Sequence, residues 1–237
     1  MSTIYLLTLR QLAGKWRLVI MTVLATMPVL IAAVMLRSDD APSVVDFETS
    51  ILSAMLAGSI APLIVLAIAA AAFGHEVEDK TLANLTLAPL PRWKIALPKL
   101  LATLTLATPF IAASAFATSW IAYIGDWQAS LAVTASALVG VALYAAAFVW
   151  LGLVTTQGIA IGLLYIVLWE GFFAGYVSGV RLLSIRFHSL ALMHGLDERR
   201  FAFGSHPSLT VVVVTAAAVF AGFVWMTVRK LRTMDVP

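Results

Sequence analysis

Residues 100–124 read LLATLTLATPFIAASAFATSWIAYI, and after Gly125-Asp-Trp-Gln128 residues 129–154 read ASLAVTASALVGVALYAAAFVWLGLV. Neither run contains an Asp, Glu, Lys or Arg. Each exceeds the roughly 20 apolar residues that a helix needs to cross a hydrocarbon core. Their interruptions are Ser, Thr, Gly and the single Pro109, which a packed membrane helix tolerates as a kink. A connection of four residues leaves the two helices no arrangement but antiparallel.

Four more stretches read the same way: Leu18–Leu36, Ile51–Phe73, Ile159–Val177 and Leu209–Val228. Pro28 and Pro62 sit inside the first two, and Glu170 is the one charge in all six. Leu18–Leu36 is longer than the roughly 7–15 residues of a signal-peptide core, so it is read as a retained span. The chain of 237 residues is 62% hydrophobic and only 11% charged, where a soluble domain carries about a quarter charged residues. The expected fold is therefore an all-α polytopic membrane protein, a single transmembrane domain of six spans over 1–237 in the lipid bilayer. Cysteine is absent, which removes disulfides, thiol nucleophiles and Cys-based metal sites.

The basic residues flank apolar runs, which is how membrane orientation is written rather than nucleic-acid binding. Arg10, Lys15, Arg17, Lys80, Arg92, Lys94, Lys99, Arg229, Lys230 and Arg232 share one side of a six-span layout. The other side holds five arginines among seven acidic residues. The rule that positive loops stay inside puts both termini in the cytoplasm. Every Trp but Trp169 falls near a span end, as an aromatic belt requires.

Three segments are neither span nor tight turn. In 1–17, Tyr5, Leu9, Leu12 and Trp16 recur at helical spacing with Arg10, Lys15 and Arg17 off that face, which suits an interfacial helix. The loop 178–208 mixes apolar residues with arginines and reads as one or two short helices dipping into or lying on the outer leaflet, or as an ordered passive loop cap. Its His188, His194 and His206 lack ligand spacing and are read as surface residues.

The third segment, 74–94, reads GHEVEDKTLANLTLAPLPRWK. Glu76, Glu78 and Asp79 suit a helix N-terminus, where negative charge is favoured. Thr81–Ala88 continue that helix with Leu82 and Leu85 on one side, until Pro89 and Pro91 stop it. A short amphipathic helix held between two membrane spans suits a partner's groove; on the residues alone, a solvated loop with an incidental helix is the default reading.

This segment resembles the cytoplasmic loop of ABC-2-type transporter permeases. Glu76 and Glu78 match that family's acidic pair, Thr81 its threonine and Leu85 its first leucine, with Pro89, Arg92 and Lys99 following at the family's spacing. Lys80 stands where glycine is usual and Thr86 where a second leucine is usual. The resemblance extends to the N-terminal helix, the six spans, a tight turn at Thr155–Gly158 and the long loop before the last span. It implies a coupling helix (Glu76, Glu78, Thr81, Leu82, Leu85, Pro89 and Arg92) that docks on a separate ABC ATPase subunit. It also implies a second permease subunit, identical or paralogous, an exporter in the cell membrane, and ATP-Mg bound by the partner alone. The sequence holds no Gly-x-x-x-x-Gly-Lys-Ser/Thr phosphate loop of its own.

Glu170 must face protein or water, because a carboxylate in lipid is costly. Pairing with Arg181 or Arg186 is the expected structural role, and a substrate or gating contact is the alternative. Gly171, Gly175 and Gly179 follow at four-residue spacing and suit close helix packing. No metal site and no catalytic set can be assembled; His75-Glu76 lacks the second histidine of a zinc-protease helix, Asp79 standing in its place. The rival readings are an ATP-independent transporter or channel, which calls for midplane charges or an internal repeat, and an intramembrane enzyme.

Overall fold

The computed structural model describes residues 2–38, 43–79, 91–173, 184–201 and 208–233. Every regular element among them is helical. In chain order these are α1 (Ser2–Leu12), α2 (Lys15–Met35), α3 (Val44–Glu78), α4 (Trp93–Ala122), α5 (Trp127–Val154), α6 (Gly158–Leu164, continuing π-helical as Tyr165–Phe173), α7 (Ile185–Leu196) and α8 (Leu209–Thr233). Helices α2, α3, α4, α5 and α8 are long and apolar enough to cross a membrane. The all-α polytopic membrane fold is thus established. The sixth expected span, Ile159–Val177, is described only to Phe173, as a shorter apolar helix.

The helices outrun the apolar stretches that announced them. Hydropathy marks the lipid-matched length, whereas backbone hydrogen bonding continues until a cap or breaker intervenes. Ser43 caps α3, its hydroxyl accepting from the Asp46 amide at 3.2 Å. Asp126 caps α5, accepting from the amides of Gln128 and Ala129 at 3.1 and 3.2 Å. Between α4 and α5 the chain reverses through Ile124 at φ 52° and Gly125 at φ 79°. Glycine adopts the left-handed region freely; a β-branched isoleucine there is strained.

Helices α4 and α5 form the central antiparallel pair, and α3 and α5 are the most enclosed. Lipid offers little hydrophobic drive for helices to associate, so close approach of small residues takes over. Gly152 of α5 abuts the Ala70 backbone of α3, and a Cβ there would strike the Ala70 carbonyl. Gly158 lies on Gly152, and Gly162 lies on Leu66. The buried stripe of α6 is therefore Gly158, Gly162, Ile166 and Glu170, every fourth residue. Of the expected glycine ridge, the described member lies off this stripe. Gly171 sits one position off the stripe, is exposed, and has room for a Cβ 3.6 Å from the Ile166 carbonyl. Gly175 and Gly179 lie outside the described residues.

Helix α1 packs along α4, with Leu12 fully buried and the Tyr5 hydroxyl donating to Thr105 Oγ1 at 3.0 Å. Trp16 does not share that face. The helix breaks at Ala13–Gly14, with Gly14 extended, so Trp16 opens α2 and is 78% exposed.

Helix α7 dips into the bundle. Its N-terminus meets Ser53 and Glu170 inside the spans, while Gly195 near its other end packs on Leu209 at the start of α8. The histidines reading is corrected accordingly. His188 is buried between the Ser184 carbonyl (2.9 Å) and Thr215 Oγ1 (3.1 Å), and His194 is buried against the Phe201 carbonyl. His206 lies outside the described residues.

Candidate functional site

Polar chemistry gathers at three places, the first being the end of the bundle where α1, the close of α3 and the start of α4 meet. Lys99 is 1% exposed, and its ammonium donates to Glu76 Oε1 at 2.5 Å and to the Ala72 carbonyl. It also lies 4.6 Å from the centre of the Phe73 ring. A buried lysine is tolerated when charge and hydrogen bonds are both satisfied, and three groups from two turns of α3 satisfy this one.

The position of the acidic residues differs from expectation. Glu76 and Glu78 close helix α3 rather than open a coupling helix, because no breaker stands between Ala71 and Glu78 except the permissive Gly74. Negative charge at a helix C-terminus opposes the macrodipole. Lys99 offsets this by presenting a cation to the same final turns. Glu78 is exposed, and Arg92 stands at the N-cap position of α4. Thr81, Leu82, Leu85 and Pro89 lie outside the described residues.

The second place surrounds Glu170, which is fully buried. Its carboxylate accepts from Ser184 Oγ at 2.5 Å, the Ile185 amide at 2.9 Å and the Tyr165 hydroxyl at 3.0 Å. The π-helical turns bring Tyr165 over Glu170 five residues on. Glu170 thus anchors the buried N-terminus of α7, where an anion is favoured by free amides and the helix dipole together. The expected ion pair with Arg186 is not formed. Arg186 instead reaches across to Ser53 Oγ (2.6 and 3.2 Å) and touches the Glu170 backbone carbonyl at 3.4 Å. Its side chain lies over Gly58, whose missing Cβ makes the room. Burial draws the guanidinium below its ordinary pKa, and the nearby Glu170 charge opposes this. Arg181 lies outside the described residues.

The third place is the opposite end of the bundle, and sequence reasoning missed it. Glu48, read as a loop residue, is 3% exposed and accepts from the Tyr123 hydroxyl at 3.2 Å. Arg200 lies over the Tyr123 ring at 5.2 Å and pairs with Asp126 at 2.9 Å. Together these tie the start of α3, the α4–α5 turn and the segment after α7. The one hint in the sequence is that Glu48 adjoins the run starting at Ile51 and Tyr123 closes the run 100–124. Among the described residues no three His, Cys, Asp or Glu side chains converge on a metal position.

A helical bundle with five apolar spans, a dipping helix and polar joints at both ends defines a multi-pass membrane protein. The model of the ABC-2 family transporter proteins matches residues 9–187, well over half of the chain, and the chain belongs to that family. It is a transporter permease of the ABC-2 type. The match takes in Glu76, Lys99 and Glu170 and ends within α7. No curated protein matches the chain.

Proposed function

We propose that this chain is the permease subunit of an ATP-driven ABC exporter in the cell membrane, with both termini cytoplasmic. Two permease subunits, identical or paralogous, form the translocation path, and two separate ATPase subunits bind ATP-Mg and hydrolyse it. The observation carrying this reading is the family match across the α3–α4 connection, in a sequence that has no phosphate loop of its own. The basic end of the bundle faces the cytoplasm, and residues 74–94 meet the ATPase there. Closure of the ATPases pushes on that connection and re-packs the spans, opening the path alternately to each side. The permease itself performs no chemistry.

The docking element is tested by Leu85→Asp, which places an unpaired charge in the proposed ATPase groove. A lost contact of a few kcal/mol loosens binding about a hundredfold or more. The variant should insert normally but lose the ATPase on co-purification. Retained assembly and retained ATP-driven activity would show that the connection does not dock the ATPase.

A further inference from the structure

We propose that Lys99 is the positioning residue that transmits motion from the α3–α4 connection into the spans, acting through its ion pair with Glu76. This rests on the proposed ATP-driven reading and deepens it. The connection leaves α3 at Glu78 and rejoins the bundle at the start of α4, so anything that moves it moves these two helix ends. A polar joint between them couples the movement of the two ends. Lys99 is that joint: it stands on α4, yet its ammonium holds Glu76, the Ala72 carbonyl and the Phe73 ring of α3.

The continuation of the path is also visible. Ala70, two residues before Ala72, presses its backbone against Gly152 of α5, with Gly158 of α6 stacked on Gly152. One turn further along α3, Leu66 fills the notch at Gly162. A displacement of Glu76 and Lys99 therefore reaches α6 through the backbone contacts of Ala70 with Gly152 and of Gly152 with Gly158, where an added Cβ on Gly152 would not fit, and through the Leu66 side chain against Gly162. Close-packed interfaces of this kind shift between discrete arrangements rather than deform. A lysine serving only to satisfy Glu76 would do as well at the rim in water. Lys99 is instead wholly buried, at the point where the two helices meet.

The test uses the intact permease–ATPase complex in proteoliposomes. The native chain has no cysteine, so Ile161→Cys, on the exposed side of α6 one turn from its start at Gly158 and 42% exposed, supplies a single reporter. The readout is the change in maleimide labelling rate on adding ATP-Mg, divided by the ATP hydrolysed. Lys99→Met should lower this ratio at least fivefold, and Lys99→Arg, which keeps the cation, should retain at least half of it. Since Lys99→Met leaves Glu76 alone and risks misfolding, the neutral pair Glu76→Gln with Lys99→Met is the second variant. It should match the unmodified protein in thermal unfolding and still show the fivefold loss. An unchanged ratio in that stable double variant would make the pair purely structural and overturn the proposal. Loss of the ATPase from the double variant would make the pair a docking element and overturn it too. If the unmodified protein co-purifies with no ATPase, the ATP-driven reading itself fails and carries this inference with it.

Discussion

Removing the Glu170 carboxylate should cost stability in a graded way that reports how it is used. Three donors converge on it: Ser184 Oγ, the Ile185 amide and the Tyr165 hydroxyl. Glu170→Ala strands the Ile185 amide at a buried helix N-terminus, at about 1–3 kcal/mol for an unsatisfied buried donor. The two hydroxyls can turn toward nearby carbonyls, so their loss is partial, and the total is about 4 kcal/mol. Glu170→Gln keeps an oxygen for the amide and the tyrosine. It gives up mainly the charge at the helix end, about 1–2 kcal/mol in a buried setting. At about 2–4 °C per kcal/mol for a chain of this size, Gln should lower Tm by about 2–8 °C and Ala by about 8–16 °C. Tryptophan-fluorescence melts of the purified protein in detergent measure both. Equal melts for the two variants, or both within about a degree of the unmodified protein, would refute the claim that Glu170 anchors α7. A Gln variant that melts as expected yet no longer transports would make Glu170 a transport residue as well.

Gly152→Ala should destabilise by about 1–3 kcal/mol, because the Ala70 backbone cannot give way, whereas Gly171→Ala should be neutral or slightly stabilising; melts of the two variants decide. Asp126→Ala removes both the α5 cap and the Arg200 pair, and should cost about 1–2 kcal/mol. Arg200→Ala breaks the half-exposed pair and the contact with the Tyr123 ring, and should cost about 1 kcal/mol. A loss for Asp126→Ala clearly smaller than that for Arg200→Ala would mean that the cap contributes little. Single cysteines at Ser2 and Pro237 should react with impermeant maleimide only after cells are opened; labelling of either from outside would overturn the orientation.

The spans were legible because an apolar run of helical length has few other uses, and Leu100–Ile124 beside Ala129–Val154 needed no knowledge of neighbours. What escaped needed exactly that knowledge of which helices touch. Lys99 stands in the sequence as a flanking cation and a match to the family's loop spacing, and its partner Glu76 shows only once α3 lies beside it. Four-residue spacing occurs on α6 in two phases, and only packing tells the buried Gly158–Gly162 phase from the exposed Gly171. Glu76 was placed at a helix start because the hydropathy ends at Phe73, although the backbone remains helical to Glu78. Glu170 stands out in the sequence as the lone charge of the apolar runs, and it is buried. Its partners were mistaken because amide and hydroxyl donors are invisible to a search for opposite charges. Of the proposed docking set, Glu76, Glu78 and Arg92 are described, and Thr81, Leu82, Leu85 and Pro89 are not.

The central claim is that this permease works with an ATP-hydrolysing partner. The most direct measurement is ATP hydrolysis by the tagged chain isolated from its native membranes in mild detergent, with the subunit masses of the preparation. The account predicts Mg-dependent hydrolysis that travels with the tag, from a second polypeptide bearing a phosphate loop and present one to one with the permease. A pure permease with no bound ATPase and no hydrolysis, from membranes that still transport, would contradict it.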